Sequence, residues 1–276
     1  MNRHEIERVS AVISYVEAHL QERLDLDTAA RAACYSKFHL HRMFAGTAGM
    51  TLHDYVRRRR LTEAARMLVF SERPVLEIAL LAGYESQQAF TSVFKAMYKR
   101  TPAEYRRDRF FYPLQLAFTP NEALSSQWEI AYAAPSDIPG WMEFTALVIG
   151  GFPRLEERAH LERVRGYVQR RQAVMMRDGP VVVAAAACSR RAGSVDFLAV
   201  HPQYRRSGAA GALLAFVRRE IFPGREISVT TFREGDKADT GQRAEYKRLG
   251  FAESELLTEF GYPTQRLILP PDRGAE

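Results

Sequence analysis

The feature that most limits what this chain can fold into is a repeat within its first hundred residues. Laying "YSKFHLHRMF" (35–44) against "YESQQAFTSVF" (84–94) at an offset of 50 aligns Ser36 with Ser86, Leu40 with Phe90 and Phe44 with Phe94. The same offset continues through Thr51 and Thr101, Tyr55 and Tyr105, and Arg57 and Arg107, while Tyr35 meets Tyr84 at 49. One structural unit has been used twice, and two copies are too few for a solenoid.

Each unit reads as helix, tight turn, helix. In the first, Asp27 caps a short helix "TAARAAC" and Ser36 caps "KFHLHRMFAG". In the second, Pro74 stands just inside a helix ending at Gly83, and Ser86 caps "QQAFTSVFKAMY". Leu40, Met43 and Phe44, like Phe90, Val93 and Phe94, recur at helical spacing and face a core. That leaves Lys37, Phe38, His41 and Arg42 on one outer face, and Gln87, Gln88, Ala89 and Ser92 on the equivalent one. Arg and Lys suit guanine edges, Gln suits adenine, and Phe38 suits a thymine methyl. Ile6, Val9, Ile13, Val16 and Leu20 form a supporting stripe ahead of both units. Between the units, residues 53–70 read as one continuous helix. About sixteen of these residues make a rod of roughly 24 Å, which suits two reading helices about 34 Å apart, one turn of DNA. A monomer is thus expected to read two adjacent major grooves of duplex DNA. A basic bundle with no DNA role would share the helices and the run Arg57–Arg60, in which at least one arginine is expected to be structural. The duplicated register, capping serines and polar outer faces together favour DNA.

Charge agrees with this. Residues 1–107 carry 17 Lys and Arg against 12 Asp and Glu, and the remainder 22 against 21, so the basic excess lies in the first part. There is no run of about 18 apolar residues and no signal peptide at the N-terminus, so no membrane span is expected. Cys34 and Cys188 lie far apart in apolar surroundings and read as small core residues, in keeping with a reducing cytoplasm. No metal site is expected.

The helical pattern stops at Arg109, where prolines 113 and 120 break any helix and Leu114, Leu116 and Phe118 alternate as an extended segment. Residues 109–127 are expected to connect a first domain (1–108) to a second (128–276), with 121–127 as the hinge. The second domain reads strand, two helices, three strands, helix, strand, helix, two strands. Strand "SVDFLAV" runs into "HPQYRRSGAAG" and then a helix. Gly208, Ala210 and Gly211 allow backbone N–H groups to approach a ligand, and a helix N-terminus favours an anion. Arg205 and Arg206 add attraction and bidentate contacts. A pyrophosphate is the natural occupant, although neither the P-loop nor the dinucleotide glycine triplet is present.

Two resemblances follow from these residues. "YSKFHLHRMFAGTAGMTLHDYVRRRRLTEAARML" and "GYESQQAFTSVFKAMYKRTPAEYRR" resemble the DNA-binding region of the AraC/XylS transcriptional regulators over residues 4–107. Tyr98 stands where that family often has Phe, and "KR" precedes "TP" where "GV" is common. The resemblance implies sequence-specific DNA binding and, as an activator, RNA polymerase as a partner. Arg205, Arg206, Ser207, Gly208, Ala209 and Ala210, with "FLAVHPQY" upstream and "AEYKRLGF" (244–251) downstream, resemble the acyl-CoA motif of the GNAT acetyltransferases over residues 128–269. This implies two domains: an all-α double helix-turn-helix domain, then an α+β domain with a mixed, splayed central sheet flanked by helices. It also implies acetyl-CoA or another acyl-CoA as cofactor, and acyl transfer to a small amine. The backbone near Leu198 or Val200 would meet the thioester oxygen, Tyr246 would protonate the leaving thiolate, and Asp196 is the candidate base. Glu245, Asp239 and Gln242 depart from that family's Leu or Phe, Asn and Ala. Three functions stay open: a regulator whose second domain senses acyl-CoA or an amine, an N-acetyltransferase tethered to DNA, and an accessory domain that promotes dimerisation.

Overall fold

A computed structural model describes residues 3–22, 36–117, 119–120, 127–148, 157–205, 207–259 and 261–271. The Asp27 cap and its helix, Cys34, Phe118, Arg206, residues 121–126 of the hinge, and the side chain of Lys37 lie outside them. The chain divides into two compact units, one holding the described residues up to 120 and the other those from 127.

The first unit is built on the capping residues. Helices α1 (Arg3–Ala18), α2 (Lys37–Ala48), α3 (Leu52–Phe70), α4 (Val75–Leu81), α5 (Gln87–Tyr98) and α6 (Pro102–Asp108) follow in order. Ser36 accepts from the His39 amide at the start of α2, and Ser86 accepts from the Ala89 amide at the start of α5. Thr51 and Thr101 cap α3 and α6 in the same matched way. Pro74 stands at the capping position before α4, one residue ahead of the expected place. The duplication extends to packing. Phe44 meets Tyr55 edge-on at 5.6 Å between ring centroids, and Phe94 meets Tyr105 edge-on at 5.3 Å. The expected stripe Ile6, Val9, Ile13, Val16 and Leu20 is buried. The central helix α3 has 19 residues, a rod of roughly 28 Å.

Beyond α6 the chain stays with this unit. Tyr112 and Leu114 are buried in the same core as Phe94, Tyr98 and Tyr105. The amides of Leu114 and Gln115 both donate to the Thr62 hydroxyl on α3, at 3.0 and 3.2 Å. Leu114 and its neighbour Gln115 are both buried, so this segment follows the hydroxyl and not the alternation of a strand. Tyr98 is buried, with its hydroxyl 3.4 Å from both the Leu61 and the Tyr112 carbonyl oxygens, either of which can accept its one proton.

The second unit is one mixed sheet in the order β1-β2-β3-β4-β5-β7-β6. Its elements are β1 (Glu129–Tyr132), α7 (Ile138–Val148), α8 (Glu157–Gln169), β2 (Ala173–Asp178), β3 (Val181–Ser189), β4 (Ser194–Val200), α9 (Ala209–Glu220), β5 (Ile227–Phe232), α10 (Gln242–Arg248), β6 (Ala252–Glu259) and β7 (Tyr262–Leu269). One core joins the sheet to Leu213, Val217 and Tyr246 of α9 and α10; another joins the opposite face to Trp141, Phe144 and Val164 of α7 and α8. Buried Cys188 is a free thiol in the first of these. The expected order of elements and the splayed sheet are what the structure has. β4 and β5 run parallel but pair at one rung, Ser194 with Ser228, and part beyond it.

The repeat also exposes a local mismatch. The residue ending α2 is Gly49 at φ 69°, and its counterpart ending α5 is Lys99 at φ 58°. Side chains other than glycine are strained in that left-handed region by about 1–2 kcal/mol. The Lys99 ammonium recovers part of this by capping the Ala96 carbonyl at 2.7 Å. Lys99→Gly should therefore stabilise the first unit by about 0.5–1 kcal/mol, read from urea denaturation followed by circular dichroism.

Candidate nucleic-acid face and acyl-carrier cleft

Burial separates the two sides of each candidate reading helix. On α2, Leu40, Met43 and Phe44 are buried, while Phe38 is 90% exposed and His41 and Arg42 are exposed. On α5, Phe90 and Phe94 are buried, and Gln87, Gln88, Ala89 and Ser92 are all exposed. Every described residue proposed for base contact thus lies on the outer face. The arginine run turns inward instead. Arg58 and Arg59 are 3% and 6% exposed. Arg59 donates to Glu17 of α1 at 2.9 and 2.7 Å, to Glu63, and to the Gln115 carbonyl at 3.1 Å. Arg60 donates to the carbonyls of Leu20 and Glu22, and Arg57 pairs with Asp54 at 2.6 Å. Arg59 and Arg60 thus tie α3 to the chain around it, Arg57 pairs within its own helix, and Arg58 is buried.

In the second unit the cleft forms where β5 leaves β4. The His201 amide donates to the Val183 carbonyl, so in this antiparallel pair Ala199 exchanges bonds with Ala185. By alternation, the N–H and C=O groups of Leu198 and Val200 point the other way, towards the edge that β5 has vacated. The chain then makes a short 3₁₀ turn, Pro202–Tyr204, and enters α9 through Gly208 at φ 88°. A side chain there would meet nothing within 4 Å, and no side chain caps the helix. The first N–H groups of α9, with Ala209 and Ala210 buried and Gly211 half-buried, have no acceptor within the helix. Arg205 is half-buried beside them, and the Ser207 hydroxyl donates to the Tyr204 carbonyl at 2.6 Å.

Tyr246 is 3% exposed, packs edge-on against Phe251, and is pushed by burial up to about 12, so its phenol keeps its proton at neutral pH. The Gln242 amide donates to its oxygen at 3.3 Å. Asp196 is placed differently. Exposed near the closed end of β4, it accepts from Tyr167 of α8 and from Ser194, each at 2.5 Å. Two contacts escaped the sequence. Buried Tyr204 donates to Asp178 at 2.8 Å, fastening the turn before α9 to the β2–β3 hairpin, and Tyr167 holds Asp196. The Pro-x-Tyr pattern marked Tyr204; nothing local marked its partners. Asp239 accepts from the Gly241 and Gln242 amides and so starts α10.

Among the described residues, no helix is long and apolar enough to cross a membrane, and no group of three or more His, Cys, Asp or Glu could hold a metal ion. An outward-facing pair of capped helices and an open helix start beside a parted strand define a helix-turn-helix protein joined to an acyltransferase fold. Residues 29–108 match the family model of a helix-turn-helix domain, and residues 169–253 that of a GNAT acetyltransferase domain. The chain is 42% identical over 98 residues to the regulatory protein SoxS of Escherichia coli K12, covering 36% of this chain and 92% of that one. It is 45% identical over 96 residues to the transcriptional regulator Rob of Salmonella typhimurium LT2, covering 35% of this chain and 33% of that one. A GNAT-family acetyltransferase of Bacillus cereus ATCC 10987 superposes with a TM-score of 0.43 at 13% identity, covering 53% of this chain and 99% of that one. The chain belongs to the AraC/XylS family of DNA-binding transcription regulators, and carries a GNAT domain behind the DNA-binding unit.

Two buried histidines give the second unit a pH signature. Burial holds His160 down at about 4, helped by Arg163, and holds His201 down at about 4, helped by Arg205. The unfolded chain takes up these protons near pH 6.5 and the folded one does not, so stability is full above that pH and is lost as pH falls towards 4. Trp128 and Trp141 are the chain's two tryptophans, and both lie in this unit. Their fluorescence should show a loss on the order of 1–2 kcal/mol per histidine between pH 7 and 5, with a shallower slope in His201→Gln.

Proposed function

We propose that the chain is a transcription activator whose GNAT unit binds acetyl-CoA, a small amine, or both as effector, with RNA polymerase as the partner of its DNA-bound form. The observation that carries the effector reading is the uncapped start of α9 at Gly208, open to a ligand. The residues fit an acyl-CoA. The N–H groups from 208 onward and the guanidinium of Arg205 suit its pyrophosphate, and the outward N–H groups of Leu198 and Val200 suit its extended arm. Arg206 belongs to the same proposal from its sequence alone. On the DNA side, Arg42 and Gln88 carry base choice, with Lys37, Phe38, His41, Gln87, Ala89 and Ser92 beside them, in two adjacent major grooves.

DNA reading is tested on the full chain. Arg42→Ala or Gln88→Ala should weaken binding to the preferred duplex by about 1–3 kcal/mol and relax base preference, with wild-type affinity falling steeply with salt. Equal losses on random duplex would assign these side chains to phosphate alone.

A second reading, an N-acetyltransferase for a small amine, is favoured by Tyr246, a buried phenol that holds its proton beside the parted edge. When bound, acetyl-CoA supplies the acyl group as a thioester. The N–H groups of Leu198 and Val200 suit the negative charge that builds on an oxygen there. In this reading Tyr246 would give its proton to the sulfur as the carbon–sulfur bond breaks. Asp196, the candidate from the sequence for taking the amine's proton as the carbon–nitrogen bond forms, would have to act from the paired end of β4, where Tyr167 and Ser194 hold it. Acetyl-CoA should raise the melting temperature seen by tryptophan fluorescence. Gly208→Val should lose that shift. Across a panel of aminoglycosides and polyamines, Tyr246→Phe should keep the shift and lose about 10²–10³-fold in turnover. Unchanged turnover would take the proton role from Tyr246. A panel without turnover, with acetyl-CoA altering DNA affinity, would leave the effector reading standing.

A further inference from the structure

Gln242 is the departure in α10 that the functions above do not use. Its main chain is fixed independently of its side chain, because its amide donates to the Asp239 carboxylate at 2.8 Å. The side chain reaches across the cleft. Its Nε2 lies 3.4 Å from the Leu198 carbonyl oxygen on β4 and 3.3 Å from the Tyr246 hydroxyl on α10. A carbonyl oxygen only accepts, so the atom facing Leu198 is the amide nitrogen, and its two hydrogens serve the two oxygens, one each.

Both contacts have consequences. The Leu198 carbonyl lies on the edge where β5 no longer pairs with β4, and Gln242 supplies the donor that a neighbouring strand would otherwise provide. At Tyr246 the amide donates into the phenolic oxygen, which leaves the hydroxyl's own proton free to point elsewhere. A single amide nitrogen makes both bonds, and both are at the long end of the range, so exchanging one of them costs little.

We propose that Gln242 is a displaceable latch on the cofactor cleft. It closes the Leu198 carbonyl in the free chain, yields it to an N–H of the bound carrier's arm, and then holds Tyr246 with its proton directed outward. The proposal rests on the acyl-CoA reading above and adds to it a competition within the chain. Latch and ligand contend for one carbonyl, so removing the latch tightens binding, whereas a side chain that merely shaped the site would weaken binding when removed. Catalysis moves in the opposite direction, because the phenol loses the partner that orients it.

The test is calorimetric titration of coenzyme A itself into the full chain, wild type against Gln242→Ala and Gln242→Met. The methionine fills the space without a donor. Coenzyme A should bind both variants about 2–10-fold more tightly, the competition of one neutral hydrogen bond. With any amine that turns over, kcat and the KM for acetyl-CoA should fall together. Wild type binding coenzyme A, with both variants binding it equally or more weakly, overturns the latch. Failure of wild type to bind coenzyme A overturns the acyl-CoA reading, and the latch with it. Unchanged melting of the variants separates either result from misfolding.

Discussion

The parting of β4 from β5 after a single paired rung is the constraint on which the second unit's open strand edge depends. Two parallel strands that stayed paired would have used the main-chain groups of Leu198 and Val200 on each other. Because β5 pairs with β7 along its whole length and with β4 only at Ser194 and Ser228, those groups face a cleft. The turn after β4 then delivers an uncapped helix start to the same strand end. The site comes from the sheet withholding hydrogen bonds in one place, while the surrounding ladders and the two cores on its faces hold the opening in shape.

The first unit answers a different problem: presenting two similar helices from one chain. Its answer is a shared spacer, α3, started by the Thr51 cap and tied in its middle by Arg59. That guanidinium joins α1, α3 and the tail of the unit through Glu17, Glu63 and the Gln115 carbonyl. Removing one partner from so buried a charge is costly. Arg59 and Arg60 therefore contribute rigidity, while the side chains proposed to read DNA are those that α2 and α5 turn outward.

What the sequence disclosed follows the range of each interaction. Ser36, Ser86, Thr51 and Thr101 act on amides three residues away, so the helix starts were legible, as were the buried stripes and the order of strands and helices. Glycine and small residues at 208–211 marked the helix start, and resemblance supplied Tyr246. Contacts across long separations were not legible. Arg59 meets Glu17 across 42 residues, Tyr167 meets Asp196 across 29, and Gln242 meets Leu198 across 44. A run of arginines looks the same in sequence whether it is solvated or folded inward. Only the packed bundle decides, and here it buries Arg58 and Arg59.

The tail packed against α3 also bears on where the first unit ends. The helix-turn-helix family pattern stops at residue 108, yet Tyr112 and Leu114 complete the core and Thr62 spends its hydroxyl on the amides of Leu114 and Gln115. This chain cut at the pattern's border would lose Tyr112 and Leu114 from its core and leave the Thr62 hydroxyl without those two amides. A first unit taken alone should therefore run past residue 115, so that Tyr112, Leu114 and the Thr62 hydroxyl keep the partners they have here.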